Sequence, residues 1–144
     1  MDAILDWLRE EGYPHTLEAD GSMTIQYAPS PDGHLLAVNL EHSQDRIILV
    51  LRMLFNDDHA AALNREGIIS TSAQRQIRRE LFLRGIGVNL EGEPLESFLV
   101  DDVIYADGLS KDHFFRVLRQ LYGAAFFIVD VLDGAVDGGL GVDI

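Results

Sequence analysis

The chain has 144 residues, 47% hydrophobic and 24% charged, which suits one folded domain with a single core and excludes general disorder. It contains no cysteine, so disulfides, thiolate catalysis and cysteine-based zinc sites are excluded. Asp and Glu number 24 against 11 Lys and Arg, a net charge of −13 that repels phosphate backbones and disfavours nucleic acid.

The first helix is expected over residues 2–11, with Ile4, Trp7 and Leu8 on one face and Gly12 as its stop. This acidic start lacks the basic segment and small-residue cleavage site of a signal peptide. Strands at 15–19 and 22–28 flank Asp20-Gly21, a two-residue hairpin signal. In the second strand Met23, Ile25 and Tyr27 point one way, and Thr24 and Gln26 the other, so the sheet has a wet face here. The run Pro29-Ser30-Pro31-Asp32-Gly33 breaks the strand. A further pair is expected at 34–41 and 46–54. Its Ile47–Leu51 run is apolar on both faces, which suits a central strand covered by helices.

Asn56-Asp57-Asp58 opens a short helix at 59–65, and Ser70, Thr71 or Ser72 caps another over 73–84 that ends at Gly85. Two strands follow, at 86–90 and 97–105, separated by Glu91-Gly92-Glu93-Pro94. Ser110 is the expected N-cap of a long last helix, with Asp112 in its first turn. Residues 133–144 read as a flexible Gly/Asp-rich tail beyond a single domain at 1–132. The order predicts an α+β fold. An antiparallel sheet of five to six strands carries an N-terminal helix, one or two middle helices and a long C-terminal helix.

On the last helix, at about 100° per residue, Phe114, Val117, Leu118, Leu121, Ala125, Ile128 and Leu132 form the core stripe. Phe115, Tyr122 and Phe126 form an aromatic stripe beside it. The apolar arc spans roughly 200°, where a core-facing side needs little more than 100°. Phe115, Tyr122 and Phe126 are therefore the candidate protein-interaction residues, unless the sheet and first helix cover them. Gly123 in this helix suggests a close approach.

No nucleotide-binding, nucleophile-elbow or zinc-protease motif occurs, and no catalytic, cofactor or metal site is assigned. Glu41-His42 with Asp45, and Asp57-Asp58-His59, could supply metal ligands from adjacent loops, but their spacing matches no particular site. His113 reads as a capping or surface residue. Asp101 and Asp102 are consecutive on a strand, so they point to opposite faces and cannot form a carboxylate dyad. One of them needs a partner on the core side, for which Arg79 and Arg84 are candidates. Arg75, Arg78 and Arg79 form the one basic cluster, a solvated face expected to pair with Glu80 and other acids, with contact to phosphate or an acidic partner as the alternative. Asp130, Asp133 and Asp137 do not follow the EF-hand spacing.

Two segments carry a resemblance. WLREEGY near the start and IYADGLSKDHFFRVL before the last helix resemble a family of short, mostly archaeal, uncharacterised proteins, domain-of-unknown-function family 2299. The RIILVL strand and the DDHAAAL segment are similar in position. That resemblance implies the layout of type III secretion chaperones, which are small, acidic, commonly homodimeric and hold extended client segments. The meander is one strand longer than the usual chaperone pattern. The expectation is a cytoplasmic, non-enzymatic protein-binding module, homodimeric, with a protein client and without membrane or nucleic-acid partners. A small-ligand or metal-dependent enzyme using His42, Asp45, Asp57 and His59 is one alternative; a structural subunit of a larger complex is the other.

Overall fold

A computed structural model describes residues 2–26, 35–55, 61, 71–92 and 95–138. Helix α1 spans Asp2–Glu10, followed by β1 His15–Leu17, β2 Met23–Gln26, β3 Leu35–His42 and β4 Arg46–Leu54. Then come α2 Thr71–Leu83, β5 Gly87–Glu91, β6 Ser97–Tyr105 and α3 Lys111–Gly138. Of the helix expected at 59–65 only residue 61 is described, and it is helical; the 29–33 break lies outside the described residues.

The six strands form one antiparallel sheet in the order β1-β2-β3-β4-β6-β5, so the fold is α+β as expected. The chain leaves α1 and α2 by the same device. Tyr13 N–H reaches the Leu8 carbonyl and Ile86 N–H the Leu81 carbonyl, around Gly12 and Gly85 at φ of +75° and +74°. Only glycine takes that left-handed turn at little steric cost, and here it folds β5 directly back beneath α2. The β1–β2 loop holds three residues, not two. Glu18 N–H pairs with the Ser22 carbonyl, Gly21 N–H closes a turn on the Glu18 carbonyl, and Gly21 sits at φ +90°.

One face of the sheet carries the core. Met23, Ile25, Val38, Leu40, Leu49, Leu51, Phe98 and Val100 are fully buried beneath Phe114, Leu121, Ile128 and Leu132 of α3. The register explains the layering, since Leu40 pairs with Leu49, Leu51 with Val100 and Met53 with Phe98. The wide apolar arc of α3 is mostly filled from within the chain. On one flank Trp7 and Tyr13 meet Phe114 and Phe115, with ring centroids 6.1 and 5.4 Å apart. On the other flank α2 packs against Phe127, over which the Arg84 guanidinium lies at 5.1 Å. Ser110 caps α3 as expected, its Oγ accepting the His113 N–H at 3.1 Å. The helix runs on to Gly138, six residues past Leu132. Asp133–Gly138 contains no proline, and glycine weakens a helix by about 1 kcal/mol without forbidding it.

Candidate protein-binding surface

The period-two alternation of β4 and β6 places Ile48, Val50, Leu99 and Val103 on the sheet face opposite the core. Val103 pairs with Ile48, and Leu99 lies one row beyond Val50. These four are only half-buried, whereas their neighbours Ile47, Leu49 and Val100 are at most 2% exposed. The buried residues of all three helices belong to the core on the other side, so among the described residues no helix covers this face. The Ile47–Leu51 run is apolar on both faces as read from the sequence, but it is covered on one.

Polar side chains frame the apolar centre. Arg52 reaches across β6 to Glu91, Nη2 to Oε2 at 3.2 Å, and Ser97 Oγ donates to the other Glu91 oxygen at 3.0 Å. On the far side Asn39 donates its amide to Ser22 Oγ and to the Met23 carbonyl, each at 3.4 Å. Glu41 pairs with Ile48, and Asp101 with both Val50 and Gly87. A single face thus carries Ile48, Val50, Leu99 and Val103 with the Asp101 carboxylate set among them, between Leu99 and Val103 and opposite Val50, and with Arg46, Arg52, Glu41 and Glu91 around them.

Asp101 and Asp102 do point to opposite faces. Asp102 pairs with Leu49 on the core side, where neither Arg79 nor Arg84 reaches it. Arg84 instead binds Glu80 one turn back at 3.2 Å. The Asp102 carboxylate accepts the Val103 N–H at 2.8 Å. Burial pushes its pKa above the ordinary value; the Val103 hydrogen bond pulls it down, Asp101's charge raises it, and His113 lowers it.

The other sequence-derived candidates scatter. Glu41, His42 and Asp45 are exposed at the β3–β4 end, while Asp57, Asp58 and His59 lie outside the described residues. Glu41 and His42 line a cavity of about 430 Å³ beside Asp20 and Ser22. Asp20 is already engaged there by the Ser22 hydroxyl at 2.6 Å and its N–H at 2.9 Å, which hold its carboxyl below the ordinary value. Among the described residues no three His, Asp or Glu side chains gather as a metal site. Of the three α3 aromatics, Phe115 is buried against Tyr13, Tyr122 is half-buried on the core, and Phe126 is 52% exposed. A Cβ at Gly123 would meet open space, so no close approach within the described residues requires that glycine. Sequence reasoning gave the sheet a wet face at β2 but missed the apolar residues that β4 and β6 place on it. Their signal was the coincidence of a doubly apolar β4 with Leu99 and Val103 at alternate positions of β6.

The model of a family of uncharacterized conserved proteins, DUF2299, matches residues 1–132. The chain belongs to this family. A crystal structure of an uncharacterized protein from Methanothermobacter thermautotrophicus is 23% identical with a TM-score of 0.72, covering 92% of this chain and 95% of that one. YbjN from E. coli, provisionally described as a transcription regulator, is 12% identical with a TM-score of 0.53, covering 92% and 89%. At these identities both show the fold alone. No curated protein matches the chain. No helix among the described residues is long and apolar enough to cross a membrane.

Proposed function

We propose that this DUF2299 chain is a non-enzymatic protein-binding module that works as a homodimer, two copies meeting through the open faces of their sheets. One observation carries the reading: Ile48, Val50, Leu99 and Val103 form a half-exposed apolar centre on a sheet face that no described helix covers. The three strands of eight or nine residues give the face a length of about 25 Å, and the three shorter strands of three to five residues extend its width to about 25 Å over part of that length. That is of the order of the roughly 800 Å² per partner of a standard interface. The face carries both signs, Arg46 and Arg52 against Glu41 and Glu91 around the apolar residues and Asp101 among them, so a two-fold copy can set arginine against carboxylate. Sheets packed face to face in this way lie about 10 Å apart. The chaperone-like layout, commonly homodimeric, agrees with this assembly.

Phe126 favours a second reading, in which the copies meet through α3. Single cysteines separate the two readings, because the chain has none of its own. Ala37→Cys, exposed on the open face, should give a covalent dimer with a short bismaleimide, and Arg116→Cys on α3 should not. Efficient cross-linking through Phe126→Cys with none through Ala37→Cys would move the interface to α3.

A further inference from the structure

The sheet ends on one side at β5, whose Gly87–Glu91 backbone pairs with β6 alone among the described residues. Its outer edge offers a row of N–H and C=O groups to another strand. Val88 and Leu90 point to the helix side, yet both are only half-buried, because nothing described lies beyond the edge.

Helix α2 sits over this edge. It buries Ala73, Ile77 and Leu81, which leaves Arg75, Arg78, Arg79 and Phe82 as surface neighbours three and four residues apart on its outer side. Phe82 is 82% exposed, the highest of the exposed large apolar side chains among the described residues. The expected pairing of this basic cluster with Glu80 does not form. Glu80 binds Arg84, and Arg78 reaches only the amide oxygen of Gln74 at 3.2 Å. Among the described residues no carboxylate pairs with Arg75, Arg78 or Arg79. A chain of net charge −13 therefore carries a positive island, with an exposed phenyl ring and, among the described residues, an unpaired strand edge near it.

We infer that the β5 edge with the outer side of α2 binds an extended, acidic segment of a client protein, which adds to the sheet as a seventh strand. Each part of the client answers one feature. Its backbone pairs with β5, and its helix-side positions, every second residue, carry both the apolar side chains that cover Val88, Leu90 and Phe82 and the carboxylates that meet the three arginines. The negative charge elsewhere on the molecule repels the same segment and steers it to this edge. A second copy fits less well, since its own positive island would join this one. The edge lies apart from the open face, so either proposal can fail while the other stands.

The test uses the full chain and a pool of labelled peptides of about ten residues, in which every second residue is drawn from Asp, Glu, Val, Ile, Leu and Phe and the residues between are Ser or Thr. A matching pool with Lys or Arg in place of the acids is the control. Fluorescence anisotropy at low salt should show the acidic pool binding at least tenfold more tightly than the basic one. Charge reversal at Arg75, Arg78 and Arg79 to Glu should abolish that preference with the circular dichroism unchanged, and Phe82→Ser should weaken it. Bound peptide should slow amide exchange in β5. No binding, equal binding of the two pools, or protection confined to the open sheet face would overturn the proposal. So would a dimer that comes apart on Phe82→Ser.

Discussion

Gly87 faces Asp101 across the β5–β6 ladder, and the Asp101 carboxylate occupies the space a Gly87 side chain would need. A Cβ there would overlap that carboxylate, so alanine forces Asp101 out of its rotamer. Gly87→Ala should therefore cost about 0.5–1.5 kcal/mol, the usual penalty for a displaced side-chain torsion. In an Asp101→Ser background the same substitution should be neutral or stabilising, because alanine also suits a strand interior better than glycine. A urea double-mutant cycle reads the coupling, and additive effects would contradict the contact.

Asp102 should make stability fall with rising pH. Its folded carboxyl lies above the ordinary value of 3.8, chiefly through burial, so ionisation is harder in the folded chain than in the unfolded one. Its contribution is most favourable below the unfolded value and is lost as pH rises through the raised folded value. Asp102→Asn removes the ionisation and keeps an acceptor for the Val103 N–H. The variant should melt higher than the native chain at pH 7, with the gap closing towards pH 4. A gap of the same size at both pH values would contradict this.

Leu49 and Val50 are adjacent but face opposite ways, Leu49 fully buried and Val50 half-buried on the open face. Leu49→Ala should cost about 2–5 kcal/mol through lost contacts and a cavity. Val50→Thr should cost the fold of the separated monomer under about 1 kcal/mol, read at a protein concentration low enough to part the dimer, since there the hydroxyl can reach water. Denaturant midpoints of the two variants measure the difference directly.

Gly123 is exposed in the middle of α3 with free space where a Cβ would go. Gly123→Ala should stabilise the chain by about 0.5–1 kcal/mol through helix propensity and a less mobile unfolded chain. A loss of stability on thermal melting would show that a neighbour approaches this glycine after all.

The element order was legible because local chemistry carries it. Ser110 caps α3, glycines end α1 and α2, and alternation in β2 names its buried side, Met23 and Ile25. The partition of apolar surface was less legible, because it depends on which elements meet. The aromatic stripe of α3 reads as an excess until Tyr13 arrives from a distant segment to cover Phe115. The Ile47–Leu51 run reads as doubly covered until the topology puts every described helix on one side. The partner of Asp102 was misjudged for a related reason. Its own neighbour Val103 supplies the hydrogen bond, so no distant arginine is required.

Light scattering behind size exclusion, at low and high salt, tests the central claim most directly. The account predicts a dimer that persists in high salt, because its centre is the apolar row Ile48, Val50, Leu99 and Val103. It also predicts a folded monomer for Val50→Arg. A native chain that stays monomeric, or a dimer unaffected by Val50→Arg, would contradict the assignment of the open sheet face to a second copy.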